Sequence, residues 1–67
     1  MRSQIKWYSK RKGYGFIEYI NNEEIFVHHT NILSENKSLD VGDFVEFKIE
    51  ETSKGLNALE VSILIKT

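Results

Sequence analysis

The chain has 67 residues, no cysteine and a formal net charge of -1. A chain of this length is expected to form one domain, residues 1–67, whose small core no disulfide can reinforce. The longest apolar runs, Ile25-Phe26-Val27 and Ile63-Leu64-Ile65, are too short to cross a membrane or to act as a signal peptide. We therefore expect a cytoplasmic protein without a membrane segment.

Positive charge is concentrated near the start of the chain. Residues 1–19 hold five basic side chains against Glu18 alone, a net charge of +4, which leaves -5 for the remainder. This distribution allows a basic patch on an acidic body. It favours weak, salt-sensitive binding of a polyanion over tight non-specific binding.

The first strand is predicted over Gln4–Ser9, which is rich in β-forming residues. Strict alternation would place Trp7 on the same face as Ile5. A bulge would instead turn Ile5 inward and leave Lys6 and Trp7 together on the outer face. Both arrangements remain open from the residues alone, and we favour the bulge.

The second strand is predicted over residues 14–20, with Tyr14 and Phe16 on one face and Ile17 on the other. Both faces cannot be core in so small a domain. Two rings separated by a glycine and preceded by Lys12 suit a surface on which flat bases stack while a phosphate backbone passes nearby. We expect Lys12 to contact phosphate.

A hairpin is predicted to join the second strand to the third. Asn21-Asn22 favours the turn because asparagine tolerates positive φ, and Glu24–His28 forms the third strand. Phe26 and His28 then share the outer face with the rings of the second strand, at Cβ separations of roughly 5 Å. The two strands together predict a continuous aromatic surface.

The second half of the chain contains a long polar connection and two further strands. Ile32, Leu33 and Leu39 are expected to anchor the connection, and the strands are predicted over 44–51 and 56–65. Five short strands without a helical period indicate an all-β protein with a closed antiparallel barrel. The apolar residues expected inside it are Ile17, Ile25, Val27, Val45, Phe47, Ile49, Leu59, Val61 and Ile63.

Two motifs carry a family resemblance. Lys12-Gly13-Tyr14-Gly15-Phe16-Ile17 resembles the first ribonucleoprotein motif of the cold-shock domain family, and Ile25-Phe26-Val27-His28 resembles its second. The opening strand, Ile5-Lys6-Trp7-Tyr8, is also similar to that of the family. The first motif fits the RNA-recognition motif as well, but in that fold the second motif precedes the first. The order in this chain therefore excludes it.

The resemblance implies a five-stranded Greek-key barrel, the OB-fold, that stacks bases of single-stranded RNA or DNA on its exposed rings. We expect the protein to be a monomer. It further implies low sequence specificity and an RNA chaperone that keeps strands unpaired, in the cold-shock response or in regulation of transcription and translation. The expected nucleic-acid-binding residues are Lys6, Trp7, Lys12, Tyr14, Phe16, Phe26, His28, His29 and Lys54. His29 stands where the family usually has phenylalanine and Glu60 where asparagine is common, so we expect weaker binding than is typical of the family.

Three other interpretations compete with this one. The rings of Tyr14, Phe16 and Phe26 could simply be core. A metal at His28-His29 is not expected, because consecutive strand residues point to opposite faces and the chain has no cysteine or third histidine. We expect neither a cofactor nor an enzyme, since no nucleophile and base are set together.

A second hypothesis from another functional class is a protein-protein adaptor on the same scaffold, because exposed aromatic patches also bind peptides. The acidic remainder of the chain favours it.

Overall fold

Five strands close into a barrel in this computed structural model, which describes residues 1–33 and 39–65. Their order around the barrel is β1-β2-β3-β5-β4, which confirms the predicted five-stranded all-β barrel. Within the described ranges, no helix has the length and apolar character that a membrane span requires. The strands are β1 (Arg2–Ser9), β2 (Tyr14–Glu18), β3 (Glu24–His28), β4 (Phe44–Thr52) and β5 (Gly55–Ile65).

One pairing in the barrel is parallel. β3 and β5 run in the same direction, with Ile25 opposite Leu56 and Phe26 opposite Asn57, while the other neighbouring strands are antiparallel. A closed ring with an odd number of strands cannot alternate in direction all the way round. One parallel pair is therefore a consequence of closing five strands, and it brings the start of β5 beside the ring of Phe26.

A bulge interrupts β1 between Ile5 and Trp7. Ile5 pairs with Ile17, whereas Trp7 pairs with Phe16, so one additional residue stands on β1 between the two pairs. Ile5 is buried at 1% exposure, and both Lys6 and Trp7 face outward. The favoured bulge is confirmed, and it places Trp7 on the side of the barrel where β2 displays its rings.

Gly15 allows β1 and β2 to approach closely at this bulge. A Cβ atom placed on Gly15 would lie 2.6 Å from Cα of Tyr8 and closer still to the carbonyl oxygen of Trp7. Both contacts are with backbone, which cannot move aside as a side chain can. The glycine between Tyr14 and Phe16 therefore has a packing role on the inside of the barrel in addition to spacing the rings outside.

The β2–β3 hairpin follows the prediction with an earlier end to β2. The strand stops at Glu18, and Ile20–Asn22 forms a short 3-10 turn. Asn21 and Asn22 have φ values of 55° and 62°, the positive φ expected from their tolerance of left-handed backbone. The turn sets β3 against β2 in the register that the aromatic surface requires.

The long connection is anchored at two of its three predicted positions. Ile32 and Leu39 are buried at 1% exposure, but Leu33 is 64% exposed, so its predicted anchoring role is wrong. Ile32 forms a parallel bridge with Val61, and the next side chain of an extended segment points the opposite way. Residues 34–38 of the predicted connection lie outside the described residues.

The alternation predicted for β5 fails at Leu59. Ala58 is fully buried while Leu59 is only partly covered, and Val61 is buried as predicted. Glu60 has a φ of 51°, and the register with β4 shifts between the pairs of Glu46 and Lys48. This irregularity inserts an additional outward residue, which simple alternation does not anticipate. The buried core consists of Ile5, Ile17, Ile25, Val27, Ile32, Leu39, Val45, Phe47, Ala58 and Val61.

Candidate nucleic-acid interface

A row of rings covers the outer side of β1, β2 and β3. Phe16 lies directly opposite Phe26 in the β2–β3 register, and Tyr14 lies opposite His28. The bulge in β1 adds Trp7 beside Phe16. The predicted neighbours therefore meet, and none of them belongs to the buried core. We call this surface the aromatic face; its members are Trp7, Tyr14, Phe16, Phe26 and His28.

The rings of the aromatic face contact one another. Trp7 and Phe16 have centroids 6.2 Å apart and planes inclined by 28°, while Phe16 meets Phe26 edge-on at 5.8 Å. Tyr14 lies 5.7 Å from Phe26, and Phe26 lies 6.3 Å from His28. Such offset and edge-on contacts are the favoured geometries of aromatic pairs. They restrict the rotamers of the rings before any ligand arrives.

The exposure of these rings suits stacking. Trp7 is 43% exposed, and the other four residues are partly buried. A ring fixed at its base by its neighbours still offers part of its π surface to a flat partner. Nucleic-acid bases are such partners, whatever their sequence, because each base has a π face.

Lys6 lies beside the aromatic face but is already paired. Its Nζ atom is 2.7 Å from Oε2 of Glu24, and the two side chains are 50% and 40% exposed. The hydrogen bond from Lys6 to Glu24, together with the charge of Glu24, raises the pKa of Lys6 above its ordinary value of 10.5. Lys6 therefore stays protonated at neutral pH, and a phosphate must compete with Glu24 for it.

Lys54 lies at the other edge of the face, in the turn between β4 and β5. Its backbone N–H donates to Oγ1 of Thr52 at 3.2 Å, and the hydroxyl of Thr52 donates to the carbonyl oxygen of Gly55 at 2.8 Å. A groove of 420 Å³ connects this turn to the rings; it is lined by Phe16, Phe26, Thr52, Lys54, Gly55, Leu56 and Asn57. The parallel β3–β5 pair produces this juxtaposition.

Lys12 lies in the tight turn between β1 and β2. The backbone N–H groups of Lys12 and Gly13 donate to the hydroxyl and carbonyl oxygens of Ser9, at 3.1 and 2.8 Å. Gly13 has a φ of 77°, which side chains with a Cβ rarely adopt. The turn is thus held internally, with the exposed side chain of Lys12 close to the end of the aromatic face.

His28 and His29 do not point to opposite faces, so that expectation is wrong. β3 ends at His28, His29 begins a 3-10 turn, and the two ring centroids are only 4.4 Å apart. The backbone N–H of Thr30 donates to Nδ1 of His28 at 3.4 Å, and Oγ1 of Thr30 lies 2.9 Å from the same nitrogen. Among the described residues, no three His, Asp or Glu side chains cluster as a metal site requires.

The structure adds residues to the site that sequence reasoning missed. Glu24 compensates the charge of Lys6, and Leu56 and Asn57 line the groove next to Phe26. The opposite charges of Glu24 and Lys6 could have suggested this ion pair. The pair also depends on the bulge in β1, which no single residue of the sequence predicts. Leu56 and Asn57 could not be assigned because the β3–β5 contact joins segments about thirty residues apart.

The sequence profile of the family described as 'Cold-shock' DNA-binding domain matches residues 1–64. A cold shock-like protein of Thermotoga maritima is 42% identical over 65 residues, which cover 96% of this chain and 98% of that protein. A cold shock-like protein of Aquifex aeolicus is 46% identical over 65 residues, covering 94% and 93%.

A solved structure of Drosophila Unr CSD456 is similar to the barrel as a whole. It matches with a TM-score of 0.76 at 25% sequence identity, over 94% of this chain and 26% of the solved chain. The barrel, the two motifs on adjacent strands and the similarity over nearly the full length agree: the chain belongs to the cold-shock domain family.

Proposed function

We propose that this chain binds single-stranded RNA and DNA on the aromatic face, with low sequence specificity, and that binding keeps the strands unpaired. The observation that carries the proposal is the row of mutually contacting rings on the outer side of β1–β3. Membership in a family of cold shock and nucleic-acid-binding proteins supports it.

The mechanism is mass action on unpaired strands. Each base that stacks on a ring contributes about 1–3 kcal/mol, and a paired base cannot offer its faces in the same way. Binding therefore stabilises open strands over hairpins in proportion to the free protein concentration. The proposed protein is an RNA chaperone that acts in the cold-shock response or in regulation of transcription and translation. Its mechanism requires no energy source and no catalytic step.

Electrostatic attraction supplements stacking. Lys6, Lys12 and Lys54 are spread around the aromatic face, and each is exposed. If the protein contacts about four phosphates of a single strand, a plot of log K against log salt concentration should have a slope near -3. His29, next to His28, extends the proposed interface beyond the last strand residue. We propose that one chain acts alone as a cytoplasmic monomer.

The test is titration of Trp7 fluorescence with a pyrimidine heptanucleotide, RNA or DNA, at low and high salt. Because Trp7 is the single tryptophan of the chain and a member of the aromatic face, stacking should quench it. We expect saturable quenching that weakens as salt increases. The matched control is a blunt duplex of the same length, which should quench far less.

A second assay measures the chaperone activity directly. A hairpin oligonucleotide with a fluorophore and a quencher at its ends should open as protein is added, with the same salt dependence. Absence of quenching and of hairpin opening, in a protein shown to be folded, would overturn the proposal. The search would then turn to protein partners of an adaptor.

A further inference from the structure

A small basic pocket lies at the end of the aromatic face, between the β1–β2 turn and the histidine that follows β3. Its volume is 250 Å³, and no carboxylate is among the described residues that line it. The residues that line it are Tyr8, Lys10, Arg11, Lys12, Gly13 and His29. The described lining therefore carries a net positive charge, in a chain whose total charge is -1.

The charges of this pocket are largely uncompensated within the described residues. Lys10 pairs with Asp40 at 3.0 Å, but no described carboxylate forms an ion pair with Arg11 or Lys12. This distinguishes the pocket from the position of Lys6, where Glu24 already supplies the negative partner. Within the part of the chain that the structure describes, an anion would therefore displace no carboxylate from Arg11 or Lys12.

The pocket is preformed by backbone contacts. The N–H of His29 donates to the carbonyl oxygen of Gly13 at 2.8 Å, which ties the end of β3 to the turn. A Cβ atom on Gly13 would lie 2.6 Å from Cδ2 of His29, so the absence of a side chain there lets the imidazole pack on the turn. The N–H groups of Lys12 and Gly13 are both donated to Ser9. Side chains, not these amides, must therefore hold an anion.

We propose that this pocket binds a phosphate group of the strand that lies on the aromatic face, and that His29 is one of its ligands. The inference rests on the proposed function, because the pocket adjoins His28 and so meets the strand where it leaves the rings. A histidine at position 29 can carry a charge and bind phosphate, whereas the phenylalanine usual at this position in the family could only stack. Arginine and lysine are well suited to phosphate, through paired donors and a point charge respectively.

His29 makes this phosphate contact dependent on pH. The titratable and charged groups around its ring are His28, at a centroid distance of 4.4 Å, and the residues that line the pocket with it, Tyr8, Lys10, Arg11 and Lys12. Asp40 forms an ion pair with Lys10. Burial raises the pKa of Tyr8 above its ordinary value of 10.0, so it stays neutral below that pH.

A phosphate attracts a protonated imidazole more strongly than a neutral one. Proton uptake and phosphate binding are therefore coupled, and affinity should rise as the pH falls through the range in which histidine titrates.

The first experiment compares heptanucleotide affinity at pH 7.5 and pH 5.5. We expect the unmodified protein to bind about three- to tenfold more tightly at pH 5.5, because histidine gains its charge between these values. His29→Phe keeps a ring but cannot gain charge, and should lose most of this increase. His28→Phe is the matched control and should retain it. Loss of the pH dependence in His28→Phe but not in His29→Phe would overturn the role of His29.

The second experiment measures how the affinity of a variant that lacks one exposed charge depends on salt concentration. Arg11→Ala should make the log-log slope shallower by about 0.7, the value for one phosphate contact on a single strand. Lys48→Ala removes the same charge from β4, where Lys48 pairs with Glu60, and should leave the slope unchanged. Equal slopes for Arg11→Ala and the unmodified protein would contradict the pocket assignment, even though quenching of Trp7 continued.

Heptanucleotides with a 5′-phosphate, a 3′-phosphate or only hydroxyl ends identify the source of the phosphate group. Tighter binding of one phosphorylated form, abolished by Arg11→Ala, assigns the pocket to a terminal monoester. Equal affinity of all three, with the slope change intact, assigns it to a backbone diester. If no oligonucleotide binds at all, the proposed function fails. An NMR titration with inorganic phosphate then decides: saturable shifts at Gly13 and His29 that need Arg11 retain the site, and no shifts overturn it.

Discussion

The two halves of the barrel have similar interiors and opposite exteriors. In β1–β3 the outward positions carry the rings of the aromatic face, whereas in β4 they carry Glu46, Lys48 and Glu50. Two of these charges form ion pairs, Lys48 with Glu60 at 2.9 Å and Glu46 with Arg2 at 3.9 Å, and Glu50 accepts a hydrogen bond from the side chain of Asn57 at 3.3 Å. Those pairs are exposed and contribute little to stability. The outer surface of β4 is therefore charged and makes its polar contacts within the protein, whereas the rings on β1–β3 keep exposed faces that a ligand can contact.

This comparison indicates that the inward side chains of the strands form the core that stabilises the barrel, whereas the outward side chains determine what the surface can bind. Both halves bury mainly aliphatic side chains at the inward positions of their strands, with Gly15 in β2 and Phe47 in β4 as exceptions. Exchange of outward residues in one half should therefore change binding with little effect on folding, and the reverse should hold for inward positions. The predictions below test this division.

Gly15→Ala should have the largest effect, on folding. The added methyl group meets backbone atoms of Trp7 and Tyr8 at less than van der Waals distance, and overpacking of this kind costs about 3 kcal/mol or more. The total stability expected for 67 residues is only about 3–10 kcal/mol. Urea denaturation should therefore show a severely destabilised or unfolded chain.

Gly55→Ala is the matched control in the other half. Gly55 has a φ of 130° and no atom within 4 Å of an added Cβ, so only backbone strain of about 1 kcal/mol is expected. Equal destabilisation by the two substitutions would show that the close approach of β1 to β2 is not what Gly15 provides.

Phe26→Ala should have the next largest effect, on binding. Phe26 contacts Tyr14, Phe16 and His28, so its removal eliminates a stacking surface at the centre of the aromatic face. We expect affinity for a heptanucleotide to fall by about 1–3 kcal/mol, or roughly 5- to 150-fold, in the Trp7 titration. Leu59→Ala truncates a partly exposed apolar residue of β5 and should leave affinity unchanged. Full affinity of a folded Phe26→Ala protein would favour the adaptor hypothesis.

Glu24→Gln should produce a smaller change, in the opposite direction. The substitution releases Lys6 from its 2.7 Å ion pair and makes it available to phosphate. We expect affinity at low salt to rise about two- to fivefold, the scale of an exposed ion pair. Glu23→Gln alters the charge equally one residue earlier and serves as the control. If both variants gain the same affinity, net charge alone explains the increase and Glu24 does not restrain Lys6.

Glu60→Asn should have the smallest effect, a small change in the unfolding free energy of the protein. Glu60 holds a φ of 51°, which asparagine adopts more readily, so we expect a gain of about 0.5 kcal/mol in unfolding free energy. Loss of the exposed pair with Lys48 offsets part of this gain. Repeating the substitution in a Lys48→Ala background removes that offset, and the gain measured by urea denaturation should then increase. A loss of stability in both backgrounds would contradict backbone strain at Glu60.

Much of the aromatic face could be predicted because its members lie on strands that are close in sequence. β2 and β3 form a hairpin with a short turn, so the alternation of Tyr14, Phe16, Phe26 and His28 was enough to bring their rings together. The exposed positions of Lys12 and Lys54 in turns followed from local signals as well. Whether these residues contact nucleic acid stays a prediction.

The features that alternation missed all involve a break in the regular strand. The end of β3 at His28 turned His29 back towards its neighbour, and the irregularity at Glu60 exchanged Leu59 for Ala58 in the core. No local pattern marks these breaks, because a bulge or an early strand end is decided by which register best fills the interior.

The sequence by itself determined the strands, most of the core and the outward rings, since two-residue periodicity and turn chemistry act over a few neighbouring residues. Only the tertiary structure decided which distant groups meet: Lys6 with Glu24 across the bulge, the β5 groove with Phe26, and the basic turn with His29. Closure of a five-stranded barrel imposes these contacts. Register and closure are properties of the whole packed sheet, so they could not be derived from any one segment.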